Sequence, residues 1–340
     1  MWITLIARTV KTVRLLGMTG IATLSAVIPS EPAYARQPDT DADAAYVHPQ
    51  QLVDIGGGRK LNLYCIGSGE PTVIFDSGLS DWGFTWALVQ PVVAMRQRAC
   101  VYDRAGLGYS DPGQRPATSS NIVDDLHALL TAARIDPPYL LVGHSFGGMN
   151  MRLYADRYRN EVAGMVLLDP THEDGIARID AARHGQESRR YRKQVSHWRD
   201  CLRRSTQPLT EAFRRTCLEP ADPRYSTALN AARDQVAAQP TYQRAQLSEV
   251  ENYANGVSFA AVRQARRNYG SLPLIVLTSG KTAAVVGVQW TRLHQELAGF
   301  SSVGMQRTIA DGGHYLQLDR PDLVIEAIAA VGALQARPSH

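Results

Sequence analysis

Charge of one sign is in short supply. The formal net charge is +4 over 340 residues. Setting aside residues 1–35, which hold Arg8, Lys11 and Arg14 against Glu31, leaves +2. That surplus is too small to argue for nucleic acid as a partner. Cysteine is also scarce, with four residues in the chain. Metal-ligand spacing of His, Cys, Asp or Glu is missing, so neither a metal nor an organic cofactor is expected. No internal repeat is visible, which argues against a solenoid or propeller. The one apolar run near membrane length, Leu15 to Ile28, is short and broken by Gly17 and Gly20, so no integral span is expected in the mature chain.

What stands at the N-terminus is an export pattern. Arg8, Lys11 and Arg14 precede the apolar run, and Ala33-Tyr34-Ala35 fits a small-residue cleavage site. Residues 1–35 therefore read as a signal peptide cut after Ala35, and the mature protein as periplasmic or secreted. An uncleaved anchor is the weaker alternative, and the absence of an Arg-Arg pair here gives no sign of a twin-arginine route. A polar linker follows over residues 36–50, with Gln37 to Ala44 expected to be disordered. In an exported protein the four cysteines invite pairing. Cys201 and Cys217 lie close enough in sequence to staple a helical hairpin.

With 44% hydrophobic and 20% charged residues, the chain suits one globular domain with an insertion. Gln51 to Ile55 and Lys60 to Ile66 alternate like a hairpin around the glycines at 56–58. Pro71 to Asp76, Arg98 to Asp103, Pro138 to Val142, Val162 to Asp169, Pro273 to Gly280 and Met305 to Ala310 read as further strands. Helical spacing marks Trp86 to Met95, with Pro91 kinking it or opening its first turn. It also marks Ile122 to Ala133, Met149 to Tyr158, Val288 to Leu297 and Pro321 to Leu334. Alternation of this kind builds a parallel sheet covered on both faces. Residues 171–268 lack strand character and hold prolines at 208, 220, 223 and 240, so a helical insertion is expected there. Its seventeen bases against eleven acids read first as solvated helix faces, and second as an attraction for anionic substrates or surfaces.

The stretch that carries chemistry is Gly143-His144-Ser145-Phe146-Gly147-Gly148. An apolar strand runs into it and a helix runs out. Such an elbow holds its serine in a strained conformation that exposes the hydroxyl, and the glycines let strand and helix approach. A serine needs a base to take its proton and donors to hold the resulting oxyanion. His314, in Asp311-Gly-Gly-His-Tyr between the last strand and the last helix, is the base expected. His144 belongs to the turn itself, and His127, His172, His184, His197 and His294 lack a comparable loop.

Asp103-Arg104-Ala105-Gly106-Leu107-Gly108-Tyr109-Ser110, the Ser145 elbow and Gly313-His314, in this order, resemble the α/β-hydrolase superfamily over about residues 50–170 and 270–335. The resemblance implies an eight-stranded, mostly parallel sheet with helices on both faces. The core would span 51–170 and 269–336, with a helical cap over 171–268 inserted after strand six. It implies an oxyanion hole from the N–H of Phe146 and that of Leu79, in Ser77-Gly78-Leu79 where members often carry His-Gly. The acid that much of the superfamily places after strand seven is missing from Ser279 to Gln289. Some members carry it after strand six, where this chain offers Asp169, with Glu173 and Asp174 as fallbacks. The Asp103-Arg104 pair is expected to support the scaffold. Strands two and four are neighbours in this fold, so Cys65 and Cys100 could bridge, the alternative being two buried thiols.

The function expected is an exported serine hydrolase of a small-molecule carboxylic ester, lactone or thioester, working through an acyl-enzyme on Ser145. An amidase, peptidase or acyltransferase would share the triad, and a silent member of the fold would bind without turnover. Serine at 145 argues against the dehalogenases and epoxide hydrolases of the superfamily, which use a carboxylate nucleophile.

Overall fold

The computed structural model describes residues 43–335. The expected signal peptide and most of the expected linker therefore lie outside the described residues. Among the described residues, eight strands form one sheet in the order β1-β2-β4-β3-β5-β6-β7-β8. They are β1 (Gln51–Asp54), β2 (Lys60–Ile66), β3 (Thr72–Asp76), β4 (Ala99–Tyr102), β5 (Tyr139–His144), β6 (Val162–Leu168), β7 (Leu274–Ser279) and β8 (Met305–Ile309). The β1–β2 and β2–β4 pairs are antiparallel, and every other pair is parallel.

The central strands β3, β5, β6 and β7 are buried at every residue. Helices cover both of their faces, which is why they read as continuous apolar runs, while the edge strands β1 and β8 keep exposed positions. Alternate residues of these strands go to different cores. Ile74, Leu141, Met165, Leu167 and Val276 pack with the helices Ser119–Ala132 and Phe146–Arg157. Val73, Phe75, Leu140, Val142, Val166 and Leu277 pack with Trp86 and the helix Pro321–Gln335.

Three local expectations are corrected. The run from Trp86 to Met95 is one short helix, Gln90–Val93, preceded by a 3-10 turn over Gly83–Trp86. Pro91 sits in the first turn, the place where a missing N–H costs nothing. The helix after the elbow starts at Phe146, three residues before Met149. The end of the expected linker is docked: Asp43 accepts from Ser226 N–H (2.8 Å) and Oγ (2.7 Å), and Tyr46 donates to Gln90 Oε1 at 2.6 Å.

Between β6 and β7 the chain forms the helices Gly175–Ala182, Gln186–Ser205, Glu211–Cys217, Thr227–Ala237, Pro240–Ala254 and Val257–Ala265. Pro208, Pro220 and Pro223 fall in their connections, and Pro240 opens a helix. Many of this segment's arginines are paired, among them Arg178 with Glu296, Arg190 with Glu187 and Arg263 with Asp174.

All four cysteines are bonded, as Cys65–Cys100 and Cys201–Cys217. Cys65 and Cys100 are register partners on β2 and β4, with Cα atoms 4.1 Å apart. No helix among the described residues is long and apolar enough to cross a membrane.

Candidate active site

The carboxyl ends of β3, β5, β6, β7 and β8 carry the residues that meet here. Ser145 follows β5 with φ +52°, a left-handed conformation that a residue with a Cβ holds only when its surroundings impose it. Two backbone bonds impose it: Ser145 N–H donates to Leu168 O and Thr171 N–H to Ser145 O, both at 2.9 Å. A Cβ at Gly143 would lie 2.6 Å from the Gly147 carbonyl, and one at Gly147 would meet the Asp76 carbonyl. Only glycine permits that approach of strand, helix and β3.

His314 stands in the loop after β8, and this loop is tied on three sides. Ser279 Oγ donates to Gly312 O (2.9 Å), Gly313 N–H to Asp319 Oδ2 (2.7 Å) and His144 Nε2 to the His314 carbonyl (2.9 Å). A carbonyl only accepts, so His144 carries its proton on Nε2. Burial first, and the facing His314 second, push His144 down to about 3, so it stays neutral.

The structure brings Ser145, His314 and Asp169 together. His314 Nδ1 donates to Asp169 Oδ2 at 2.7 Å, and Ser145 Oγ lies 3.0 Å from His314 Nε2. Because an ionised carboxylate only accepts, the proton sits on Nδ1, and Nε2 is the nitrogen that accepts from the serine hydroxyl. Asp169 is fully buried at the end of β6, with Oδ1 accepting from Ser279 N–H (2.9 Å) and Trp290 Nε1 (2.7 Å). Burial alone would raise its carboxyl, but His314, His294 and Trp290 together hold it below the usual aspartate value.

The fallback acids are engaged elsewhere. Glu173 is forked by Arg152 at 2.7 and 3.1 Å and touched by Arg266 at 3.1 Å. Burial works against it, yet Arg152 brings it down to about 2. Asp174 pairs with Arg263 and Arg266. His172, Glu173 and Asp174 do bring ligand atoms within 4.8 Å of one another. The arginines on Glu173 already supply the positive charge a cation would bring, and His172 Nδ1 accepts from Asp174 N–H at 3.0 Å. That donor set does not suit a metal.

Phe146 opens its helix, so its N–H is one of those that intrahelical bonding leaves over. Leu79 lies in the turn after β3. Arg104 Nη1 donates to Ser77 O at 2.8 Å, and Nη2 donates to Gly78 O at 2.5 Å. A trans peptide points its C=O and N–H in opposite directions, so fixing Gly78 O on Arg104 turns the Leu79 N–H away from it. Asp103 is scaffold, accepting from Gly83 N–H (2.9 Å), Asn62 Nδ2 (2.9 Å) and Tyr109 N–H (3.0 Å).

Sequence reasoning missed Trp290, Tyr242 and Glu249. Nothing local marks them, since each touches the site from an element remote in sequence. A separate cavity of about 260 Å³ lies between the loop after β4 and the helix Pro240–Ala254. Its walls include Arg104, Glu249 and Arg244, and neither Ser145 nor His314 lines it.

The family described as alpha/beta hydrolase fold matches residues 71–321. The chain belongs to this family. Uncharacterized protein YqjL of Bacillus subtilis (strain 168) is 36% identical over 108 residues, covering 32% of this chain and 43% of that protein. Cis-3-alkyl-4-alkyloxetan-2-one decarboxylase of Shewanella oneidensis is 32% identical over 115 residues, 33% of this chain and 36% of that protein. The chain thus spans less than half the length of these curated relatives. A putative acyltransferase from Salmonella enterica has the same fold, with TM-score 0.65, 19% identity and coverage of 84% and 94% of the two chains. So does a putative lipase from Acinetobacter baumannii AYE, with TM-score 0.63, 19% identity and coverage of 86% and 94%.

Proposed function

We propose that this protein is an exported serine hydrolase that cleaves a carboxylic ester, or the related lactone or thioester, through an acyl-enzyme on Ser145. The observation that carries this reading is the unbroken chain from Asp169 Oδ2 through His314 to Ser145 Oγ, with links of 2.7 and 3.0 Å. Ser145 Oγ attacks the carbonyl carbon as His314 Nε2 takes the hydroxyl proton. Asp169 holds the ring in the tautomer that turns an unprotonated Nε2 to the serine, and stabilises the imidazolium. The carbonyl electron pair moves to oxygen, where the Phe146 and Leu79 N–H groups receive it. Collapse expels the alcohol oxygen, which leaves with the proton from His314. Water then repeats the sequence on the acyl-enzyme, and the acid is released with Ser145 restored.

The segment 171–268 acts as a cap over this site in the same reading, with 51–170 and 269–336 as the core. The two disulfides fit an oxidising compartment and support export through the leader at residues 1–35. Assay of the purified protein and of Ser145→Ala on p-nitrophenyl esters of graded acyl length tests the proposal. Turnover by the parent and none by the variant is expected. A parent silent on every ester and unlabelled by a fluorophosphonate would overturn it.

A further inference from the structure

We infer that the helix Pro240–Ala254 is a clamp on the oxyanion turn, with Glu249 and Tyr242 as positioning residues for the Leu79 N–H. The inference rests on the donor role proposed above for Leu79.

Ser80, next to Leu79, has φ +68°, a left-handed conformation disfavoured for any residue with a Cβ. It persists only where neighbours over-determine it. Both polar groups of its backbone are held by one helix: Ser80 N–H donates to Glu249 Oε2 at 2.7 Å, and Ser80 O accepts from Tyr242 Oη at 2.9 Å. Positions 242 and 249 are seven apart, two turns of helix, and therefore share a face.

Glu249 also reaches the other side of Leu79. It accepts from Arg104 Nε at 2.6 Å and Nη2 at 3.1 Å, and the same Nη2 holds Gly78 O. One carboxylate thus governs both peptide planes that flank Leu79, one directly and one through the guanidinium. Arg104 stands 5.7 Å from the centre of the Phe146 ring as well, beside the second proposed donor.

Neutralising Arg104 does not by itself require Glu249. Asp76 Oδ1 already accepts from Nη1 at 2.7 Å, and Asp76 is in turn held by Asn150 at 2.9 Å. Burying a second carboxylate is costly unless its geometry is used. The bond peculiar to Glu249 is the one to Ser80 N–H. The inserted helix and the oxyanion turn are therefore one mechanical unit, and displacing the helix disorders the donor without touching Ser145, His314 or Asp169.

The test compares the full chain with Tyr242→Phe and Glu249→Gln, reading ester hydrolysis and amide hydrogen exchange of residues 77–81. Tyr242→Phe keeps the ring packed on Trp82, 5.6 Å between centroids, so it decides the matter if Glu249→Gln does not fold. Both variants are expected to lower kcat about 10- to 100-fold, less than outright deletion of a donor because the N–H remains. KM and the pH midpoint of kcat/KM should stay at parent values, and exchange in the turn should accelerate. Unchanged exchange, unchanged kcat, or a loss confined to KM would overturn the clamp. Should the parent hydrolyse no ester, the proposed reaction fails on its own, and exchange alone then decides whether the helix holds the turn.

Discussion

Trp290 donates its indole N–H to Asp169 Oδ1 at 2.7 Å, on the oxygen opposite the one that His314 uses. With Ser279 N–H on the same Oδ1, both lone pairs of that oxygen are occupied. These three bonds set the orientation of the carboxylate, and through it that of the imidazole.

Removing that constraint separates two roles. Asp169→Asn should lower kcat by about 10³- to 10⁴-fold, since the amide favours the wrong tautomer of His314. Trp290→Phe removes one hydrogen bond and should cost about three- to tenfold. Asp169 is held below its unfolded value, so its contribution to stability is present above that value and is lost as pH falls through the folded one. Acid unfolding of Trp290→Phe, followed by circular dichroism, should begin at a higher pH than in the parent.

Asp81 has the opposite sign. Burial first and Glu219 second push its carboxyl up to about 7, against the pull of Arg104. The folded state then binds a proton that the unfolded chain has lost between about pH 4 and 7, so stability declines across that window as pH rises. Asp81→Asn should flatten the decline, which thermal melts at pH 4.5, 6 and 7.5 would show. An unchanged slope would mean that Asp81 titrates normally.

The two disulfides close loops with separations of 16 and 35 residues. Loop-closure entropy gives about 3 to 4 kcal/mol for each. Cys201→Ala/Cys217→Ala should melt at a lower temperature than the parent, and the reductant should lower the parent's melting point. Alkylation without reduction, read by mass spectrometry, should find no free thiol.

Gly147 tolerates no side chain. A Cβ there meets the backbone carbonyls of Asp76 and Ser77, which cannot swing aside as a flexible side chain would. Gly147→Ala should destabilise the fold by about 2 kcal/mol or more and abolish hydrolysis. Denaturant titration beside the ester assay would register both.

Local pattern made much of this molecule legible. The buried strands announced themselves as apolar runs because both faces of the sheet are covered. The elbow was readable because strand, glycines, serine and helix are contiguous. The glycine loop singled out His314, whose Nε2 the structure sets 3.0 Å from Ser145 Oγ. Asp169 was chosen through the superfamily resemblance, and it lies where a strand-end acid should lie, 145 positions from the imidazole it meets. Prolines told where the helices between β6 and β7 break, although Pro91 marked a much shorter helix than the spacing suggested.

What the chain alone determined is therefore whatever depends on neighbours in sequence: periodicity, turn chemistry, and the residue at the tip of each strand. Tertiary structure decided the partners that converge from afar. Trp290 reaches Asp169 across 121 positions, Glu249 reaches Arg104 across 145, and Tyr242 reaches Ser80 across 162. A tryptophan, a glutamate and a tyrosine on amphipathic helices look like any others until packing sets which face is buried and what it meets. Their roles rest on directional hydrogen bonds inside a desolvated interface, and that geometry exists only after the helices have docked on the sheet.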